Sequence, residues 1–381
     1  MRDLLPDDSR DATLIGRLAS DQGPIPVSVI DGHVFDLSGE AETVSGLLEM
    51  VPPGGTLPAG RAMGPIGALD LRPAWDESGP GRLLAPIDLH CIKASGVTFA
   101  VSALERVIEE RARGDSAGAA RFRAEIQEKI GGDIQSVRPG SPEAMNLKDM
   151  LIASGAWSQY LEVAIGPDAE IFTKAPVLSA VGSAAWVGIR SDSHWNNPEP
   201  EVVIIADSAG NARGATLGND VNLRDIEGRS ALLLGKAKDN NASCALGPFI
   251  RLFDDGFTMD DIRTAEVSLL IEGEDKYRLE GRSNMRLISR DPIDLIGQTI
   301  GRSHQYPDGF ALFLGTMFAP GDDRGEPGRG FTHKAGDTVT VSTPRLGTLT
   351  NRVCHCEDAP PWTYGIAALM RDLARRGAVR A

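Results

Sequence analysis

Residues 202–205, Val-Val-Ile-Ile, form an apolar run suited to a buried strand, and two carboxylates, Glu199 and Glu201, stand at its head. Side chains alternate across a strand, so residues two apart share a face and the two glutamates point the same way. Like charges side by side repel unless something positive lies between them, and hard oxygen donors suit Mg²⁺, Mn²⁺ or Ca²⁺ better than zinc. A solvated strand end carries the same pattern with no ion. The turn Asp207-Ser208-Ala209-Gly210-Asn211 follows, then Asp220 within Leu217-Gly218-Asn219-Asp220-Val221. If that turn closes a hairpin, the return strand brings Asp220 beside the glutamates and three carboxylates converge; otherwise Asp220 caps the next turn.

Further β-type runs separated by turns occur beyond Trp157: Glu201–Ala206, Thr264–Ile271, Thr338–Val341 and Gly347–Val353. Such spacing predicts a mostly β core. Residues 1 to about 85 alternate short apolar runs, such as Pro26–Ile30, with turns such as Pro52-Pro53-Gly54-Gly55, and read as a small N-terminal module. The boundary falls near Leu84-Ala85-Pro86-Ile87, which makes 86–381 the catalytic domain. From Ser102 to about Lys129 the Ala, Glu, Arg and Leu content, with Leu104, Val107 and Ile108 on one face, predicts two amphipathic helices broken near Gly114–Gly118. Gly131–Pro142 reads as an exposed turn region leading to a short helix around Leu147–Ala153. The helical insertion of about 102–155 has the look of a lid or an interface arm.

Charge narrows the partners. With 39 Lys+Arg against 53 Asp+Glu, the formal charge of −14 repels phosphate backbones and anionic lipid, so nucleic acid is not an expected partner. No apolar run approaches the ~20 residues of a membrane span. The start, Met-Arg-Asp-Leu-Leu-Pro-Asp-Asp, lacks the basic and apolar regions of an export signal. The expectation is a cytoplasmic protein in which Cys91, Cys244, Cys354 and Cys356 stay reduced as small buried hydrophobes. None of the six histidines forms a close ligand pair, so a catalytic zinc is not expected. Cys354-His355-Cys356 has no second half elsewhere and reads as structural. In Gly235–Ser243 a dense polar stretch contains Lys238, which either neutralises a substrate anion or an enolate or is an ordinary surface lysine. The spacing from Gly228 to Gly235-Lys236 is too long for a phosphate loop.

Glu199-x-Glu201, Asn219-Asp220-Val221 with Arg224-Asp225, Lys238 followed by Leu246-Gly247-Pro248, Gly315-Thr316, and Gly336-Asp337 with Gly347–Val353 together resemble the fumarylacetoacetate hydrolase superfamily over roughly residues 84–353. The resemblance implies an α+β, mainly β fold: a mixed β-sandwich roll with helical insertions and a small N-terminal domain. It also implies a divalent metal, Mg²⁺ with Mn²⁺ as a substitute, held by Glu199, Glu201 and Asp220, and a 2-oxo acid substrate chelating it. Relatives of this kind are homodimers or homotetramers, so self-association is implied.

Hydrolases of the superfamily carry a histidine after the first core strand; here Thr98-Phe99-Ala100-Val101-Ser102 places Ser102 there. A hydroxyl without a base beside it is a poor proton acceptor near neutral pH. Glu170-Ile171-Phe172-Thr173-Lys174 resembles the matching stretch of the superfamily's bacterial 2-keto-3-deoxy-D-xylonate (pentonate) dehydratases. The resemblance therefore implies a hydro-lyase of non-phosphorylative pentose breakdown that forms 2-oxoglutarate semialdehyde. In it Glu170 is the base, Lys238 stabilises the enolate or the substrate carboxylate, and Ser102 and Thr316 bond substrate oxygens. The alternatives are an acylpyruvate or β-diketone C–C bond hydrolase, and an oxo-acid binding protein without turnover.

Overall fold

The computed structural model describes residues 4–76, 82–113, 115, 116, 119, 137–153, 155, 157–318, 320, 322–324 and 330–378. An eleven-stranded mixed sheet runs, in spatial order, through Arg61–Pro65, His33–Asp36, Ile25–Ile30, Leu14–Leu18, Cys244–Leu252, Ala212–Asp220, Pro200–Ala206, Phe310–Phe313, Cys91–Gly96 and Glu170–Ala175. Leu83–Leu84 pairs with Leu14–Leu18 off this path. A five-stranded sheet consists of Arg278–Asn284, Glu266–Glu272, Thr338–Thr343, Gly347–His355 and Ala185–Ile189. The architecture is mainly β, two sheets with additional helices, the class expected from the sequence.

Strand alternation explains why residues 202–205 are apolar throughout. Val202 and Ile204 pack with Val267, Leu269, Ile271, Val339 and Val341 of the smaller sheet. Val203 and Ile205 face the other way, into a core with Ile15, Leu37, Val44, Leu47 and Leu48. A strand covered on both faces cannot alternate with polar residues, and each such side chain stabilises by about 2 kcal/mol relative to exposure.

The first 85 residues are joined to the large sheet by main-chain pairing. Leu14 pairs with Arg251 and Ile15 with Ile250, antiparallel. Arg17 donates to the carbonyls of Ala85 (3.3 Å) and Ile87 (2.5 Å). Asp88 accepts from the backbone N–H of Val44 (2.6 Å) and Ser45 (3.0 Å), which satisfies two N-terminal donors of the helix Val44–Met50.

Three helices, Ala100–Ala112, Pro142–Ala153 and Gln159–Ile165, pack through Leu104, Val107, Ile108, Leu147, Leu151 and Leu161, with Trp195 in the same core. Leu104, Val107 and Ile108 thus form the buried face that the periodicity predicts. The helix ends at Arg113, which takes a left-handed conformation (φ 52°) just ahead of the expected break. The second helix of the expected pair, as far as Lys129, lies almost wholly outside the described residues, as does the first half of the turn region Gly131–Pro142. The next helix begins at Pro142, five residues ahead of its expected start, because the periodicity reads the core positions and not the polar first turn. Among the described residues no helix is long and apolar enough to cross a membrane.

Candidate active site

The turn at Asp207–Asn211 closes a hairpin. Asp207 Oδ1 accepts from the backbone N–H of Ala209 (3.1 Å) and Asn211 (2.9 Å), and the strands on either side pair Glu201 with Gly218 and Pro200 with Asn219. One step further, the Asp220 N–H donates to the Glu199 carbonyl at 2.9 Å. One carboxylate oxygen each from Glu199, Glu201 and Asp220 then lie within 4.8 Å of one another, all three residues buried.

Each carboxylate has a different partner. Glu201 accepts from the Gly315 N–H (2.7 Å) and the Thr316 hydroxyl (3.2 Å), both neutral donors. Gly315 has φ 105°, and a Cβ there would collide with Thr98 Oγ1, so glycine is what allows its N–H to approach. Asp220 bonds two ammonium groups: Lys174 Nζ at 2.8 Å from Oδ1 and Lys238 Nζ at 2.9 Å from Oδ2. Lys238 Nζ also lies 2.5 Å from Glu199 Oε2.

Burial and like charge push the Glu201 carboxyl well above the usual carboxylate range, Asp220 and Glu199 adding to the desolvation. Burial acts on Asp220 in the same sense, but Lys174 and Lys238 outweigh it and hold that group low. For Lys238 burial opposes the charge, yet Asp220, Glu199 and Glu227 overcome it and keep the ammonium protonated. An all-oxygen donor set, buried, in which Glu201 has no ion pair among the described residues, suits a hard divalent cation such as Mg²⁺.

Glu170 opens the strand Glu170–Ala175 opposite Gly96. A Cβ on Gly96 would collide with the Glu170 carboxyl, so the glycine makes room for it. Burial raises the Glu170 pKa above the ordinary range, with Arg106 and Lys238 partly offsetting it, which places this carboxyl within the field of the same cluster. The two hydroxyls expected to meet substrate oxygens have protein partners. Ser102 Oγ donates to the Phe99 carbonyl (2.8 Å) and accepts from its N–H (3.3 Å) at the start of the helix Ala100–Ala112, while Thr316 holds Glu201.

Sequence reasoning missed a buried ion network above the triad. Arg106, on the helix Ala100–Ala112, lies 2.9 Å from Glu199, 2.7 Å from Glu109 and 2.5 Å from Glu227. Arg224 Nε lies 3.1 Å from Glu109, and its guanidinium stacks over Trp195. Burial, partly offset by Arg106, pushes the Glu227 carboxyl up to about 7. Charges between the apolar positions of a helix read as a solvated face. The available signal was Arg106 set between Leu104 and Val107, both of which face the core.

Residues 166–354 match the model of the fumarylacetoacetate (FAA) hydrolase C-terminal family. The chain is 34% identical over 183 residues to the 2-dehydro-3-deoxy-D-arabinonate dehydratase of Saccharolobus solfataricus, a match covering 47% of this chain and 57% of that protein. It is 30% identical over 194 residues to a probable 2-keto-3-deoxyxylonate dehydratase of Haloferax volcanii, covering 51% of this chain and 63% of that protein. The chain thus aligns with less than two thirds of either relative. In fold it resembles a 2-keto-3-deoxy-D-arabinonate dehydratase complexed with magnesium and 2,5-dioxopentanoate, with a TM-score of 0.62 and 23% identity over 90% of this chain and 99% of the other. Glu170, the carboxylate triad, Lys174, Lys238 and Thr316 all fall inside the matched segment, and residues 166–354 of this chain form a domain of the fumarylacetoacetate hydrolase family.

Proposed function

We propose that this protein is a metal-dependent hydro-lyase that removes water from a 2-keto-3-deoxy-D-pentonate, xylonate or arabinonate in configuration, to give 2-oxoglutarate semialdehyde. The observation that supports this most directly is the buried convergence of Glu199, Glu201 and Asp220 with Lys238 and Glu170 around them, in a chain whose sequence relatives carry the names of pentonate dehydratases. Mg²⁺, or Mn²⁺ in its place, held by the three carboxylates, supplies Lewis-acid polarisation of a 2-oxo acid, which acidifies the C3 protons.

The residues divide the remaining work. Glu170 takes a C3 proton; burial raises its pKa and makes it a stronger base than a solvated carboxylate once ionised. Lys238, kept charged by its carboxylate neighbours, faces the negative charge that develops on the substrate oxygens. The proton on Glu170 then returns to the C4 hydroxyl, which leaves as water. Transfer of a proton from C5 to C3 of the unsaturated product gives an enol with a C4–C5 double bond, and movement of its hydroxyl proton to C4 completes the aldehyde at C5. Thr316 acts through Glu201, and Ser102 holds the start of the helix that carries Arg106. C–C bond hydrolysis is disfavoured because the position of the hydrolases' histidine is filled by Ser102, a hydroxyl tied to Phe99. The same reading makes the protein a cytoplasmic homodimer or homotetramer serving non-phosphorylative pentose breakdown.

A coupled assay on 2-keto-3-deoxy-D-xylonate with Mg²⁺, following the semialdehyde through an aldehyde dehydrogenase before and after EDTA, tests the reading. Metal-dependent product is expected; cleavage of an acylpyruvate with no dehydration would overturn it.

A further inference from the structure

The hairpin that carries the triad does not end at Glu199 and Asp220. Its cross-strand pairs keep one register from Glu201 and Gly218, through Glu199 and Asp220, to Asn197 and Asn222 in the short two-stranded sheet beyond. Residues two apart share a strand face, so Asn197 and Asn222 lie on the same face as the carboxylates, about 7 Å further along. Packing agrees: Val221 and Leu223 point into the core between the sheets, and so Asp220 and Asn222 point away from it. The next same-face pair, Trp195 and Arg224, is stacked at 5.4 Å.

The helix Ala100–Ala112 crosses over this ladder and touches it on both sides of the asparagines. Arg106 reaches Glu199 at one end, and Glu109, paired with Arg106, takes Arg224 at the other. The asparagine pair is therefore floored by the hairpin and roofed by Arg106 and Glu109. Both asparagines are fully buried. Asn197 Nδ2 donates to the Pro198 carbonyl, but Asn197 Oδ1 and both polar atoms of Asn222 have no hydrogen-bond partner among the described residues. Buried amides almost always find partners, and these three atoms offer two acceptors and a donor beside the triad.

We propose that Asn197 and Asn222 form a specificity subsite that hydrogen-bonds the hydroxylated C4–C5 end of a sugar acid whose 2-oxo and carboxylate end lies at the Glu199, Glu201 and Asp220 site. This rests on the dehydratase reading for the identity of the acid. A hydroxyl both donates and accepts, which matches an amide with a free oxygen and a free N–H; an unsubstituted 2-oxo acid leaves these groups unpaired and is rejected.

The test is titration calorimetry with saturating Mg²⁺, comparing 2-keto-3-deoxy-D-xylonate with 2-oxopentanoate, which has the same carbon chain and neither hydroxyl. It is run on Glu170→Gln, to suppress turnover, and on the same background carrying Asn222→Leu, Asn222→Ser or Asn197→Leu. The Glu170→Gln protein should prefer the hydroxylated acid by about 10-fold or more. Asn222→Leu and Asn197→Leu should abolish that preference while leaving the affinities for Mg²⁺ and 2-oxopentanoate unchanged. Asn222→Ser, a small polar replacement, should retain part of it and keeps the test readable if a leucine variant does not fold. Absence of any preference in the starting protein, or its persistence in every asparagine variant, overturns the subsite. An Asn222-dependent preference in a protein whose wild type does not dehydrate the acid overturns the proposed reaction and leaves the subsite standing. Failure of both acids to bind overturns both.

Discussion

The Lys238 ammonium lies 2.5 Å from Glu199 Oε2 and bridges from there to Asp220, so it pairs with two of the three carboxylates that could hold a divalent cation. Cation and ammonium therefore compete for the same negative charge. Lys238→Met should bind Mg²⁺ at least as tightly as wild type by calorimetry while losing about 10³-fold in dehydration. A large loss of Mg²⁺ affinity would show instead that Lys238 holds the triad in shape.

Glu170 lies in the field of the cluster without belonging to the three-carboxylate set. Glu170→Gln removes the proton acceptor and little volume, so dehydration should fall by about 10²–10⁴-fold while Mg²⁺ binding survives. Because burial raises the Glu170 pKa, the base is protonated and inactive at pH values where a solvated carboxylate is already ionised. The acid limb of kcat/KM should accordingly lie above the ordinary glutamate value of 4.5. A limb at or below that value would remove Glu170 from the role.

Glu227 offers a stability test that does not depend on turnover. Its carboxyl is raised from 4.5 to about 7, so the folded state holds a proton that the unfolded chain releases; that contribution is complete below pH 4.5 and is lost as the pH climbs through about 7. Glu227→Gln is neutral in both states and should lack this dependence. Between pH 5 and 7.5 the Tm of wild type should fall relative to that of the variant, by about 2 °C or more.

Divalent cation and triad are linked through stability as well as catalysis. Mg²⁺ at about 100 times its Kd should stabilise the folded chain by about 2.7 kcal/mol, seen as a higher Tm that EDTA reverses. In Glu201→Ala the Mg²⁺-dependent rise should vanish. A rise that persists in this variant would place the cation elsewhere.

The N-terminal strands complete the sheet beside Cys244–Leu252, with Ile15 opposite Ile250 and Gly16 directly against the Phe249 ring. Deleting residues 1–85 should expose that strand as an unpaired apolar edge and give insoluble protein, judged by yield in the soluble fraction. A soluble, monodisperse truncated protein would contradict this.

Residue pattern alone determined several things. The Val202–Ile205 run reads as a buried strand with two carboxylates on one face and Asp207–Asn211 as a turn, because period-2 alternation and turn chemistry act over a few residues, while the closing of the hairpin that brings Asp220 to Glu199 was decided only by the pairing of the strands. The buried face of the helix Ala100–Ala112 is legible for the same reason. Long-range contacts decided the rest. Arg106 and Glu109 look like solvated helix charges until the helix is laid across Trp195 and Glu199. Lys174, part of the short stretch Glu170–Lys174, is fully buried against Asp220 although its strand is at an edge of the sheet and three strands lie between the two. Thr316 and Ser102 are hydroxyls of the expected type, but their orientation toward Glu201 and Phe99 follows from packing. Local periodicity specifies which face of an element is apolar. Which charges meet inside depends on how elements distant in the chain cross, and ion pairing in a desolvated interior is set there.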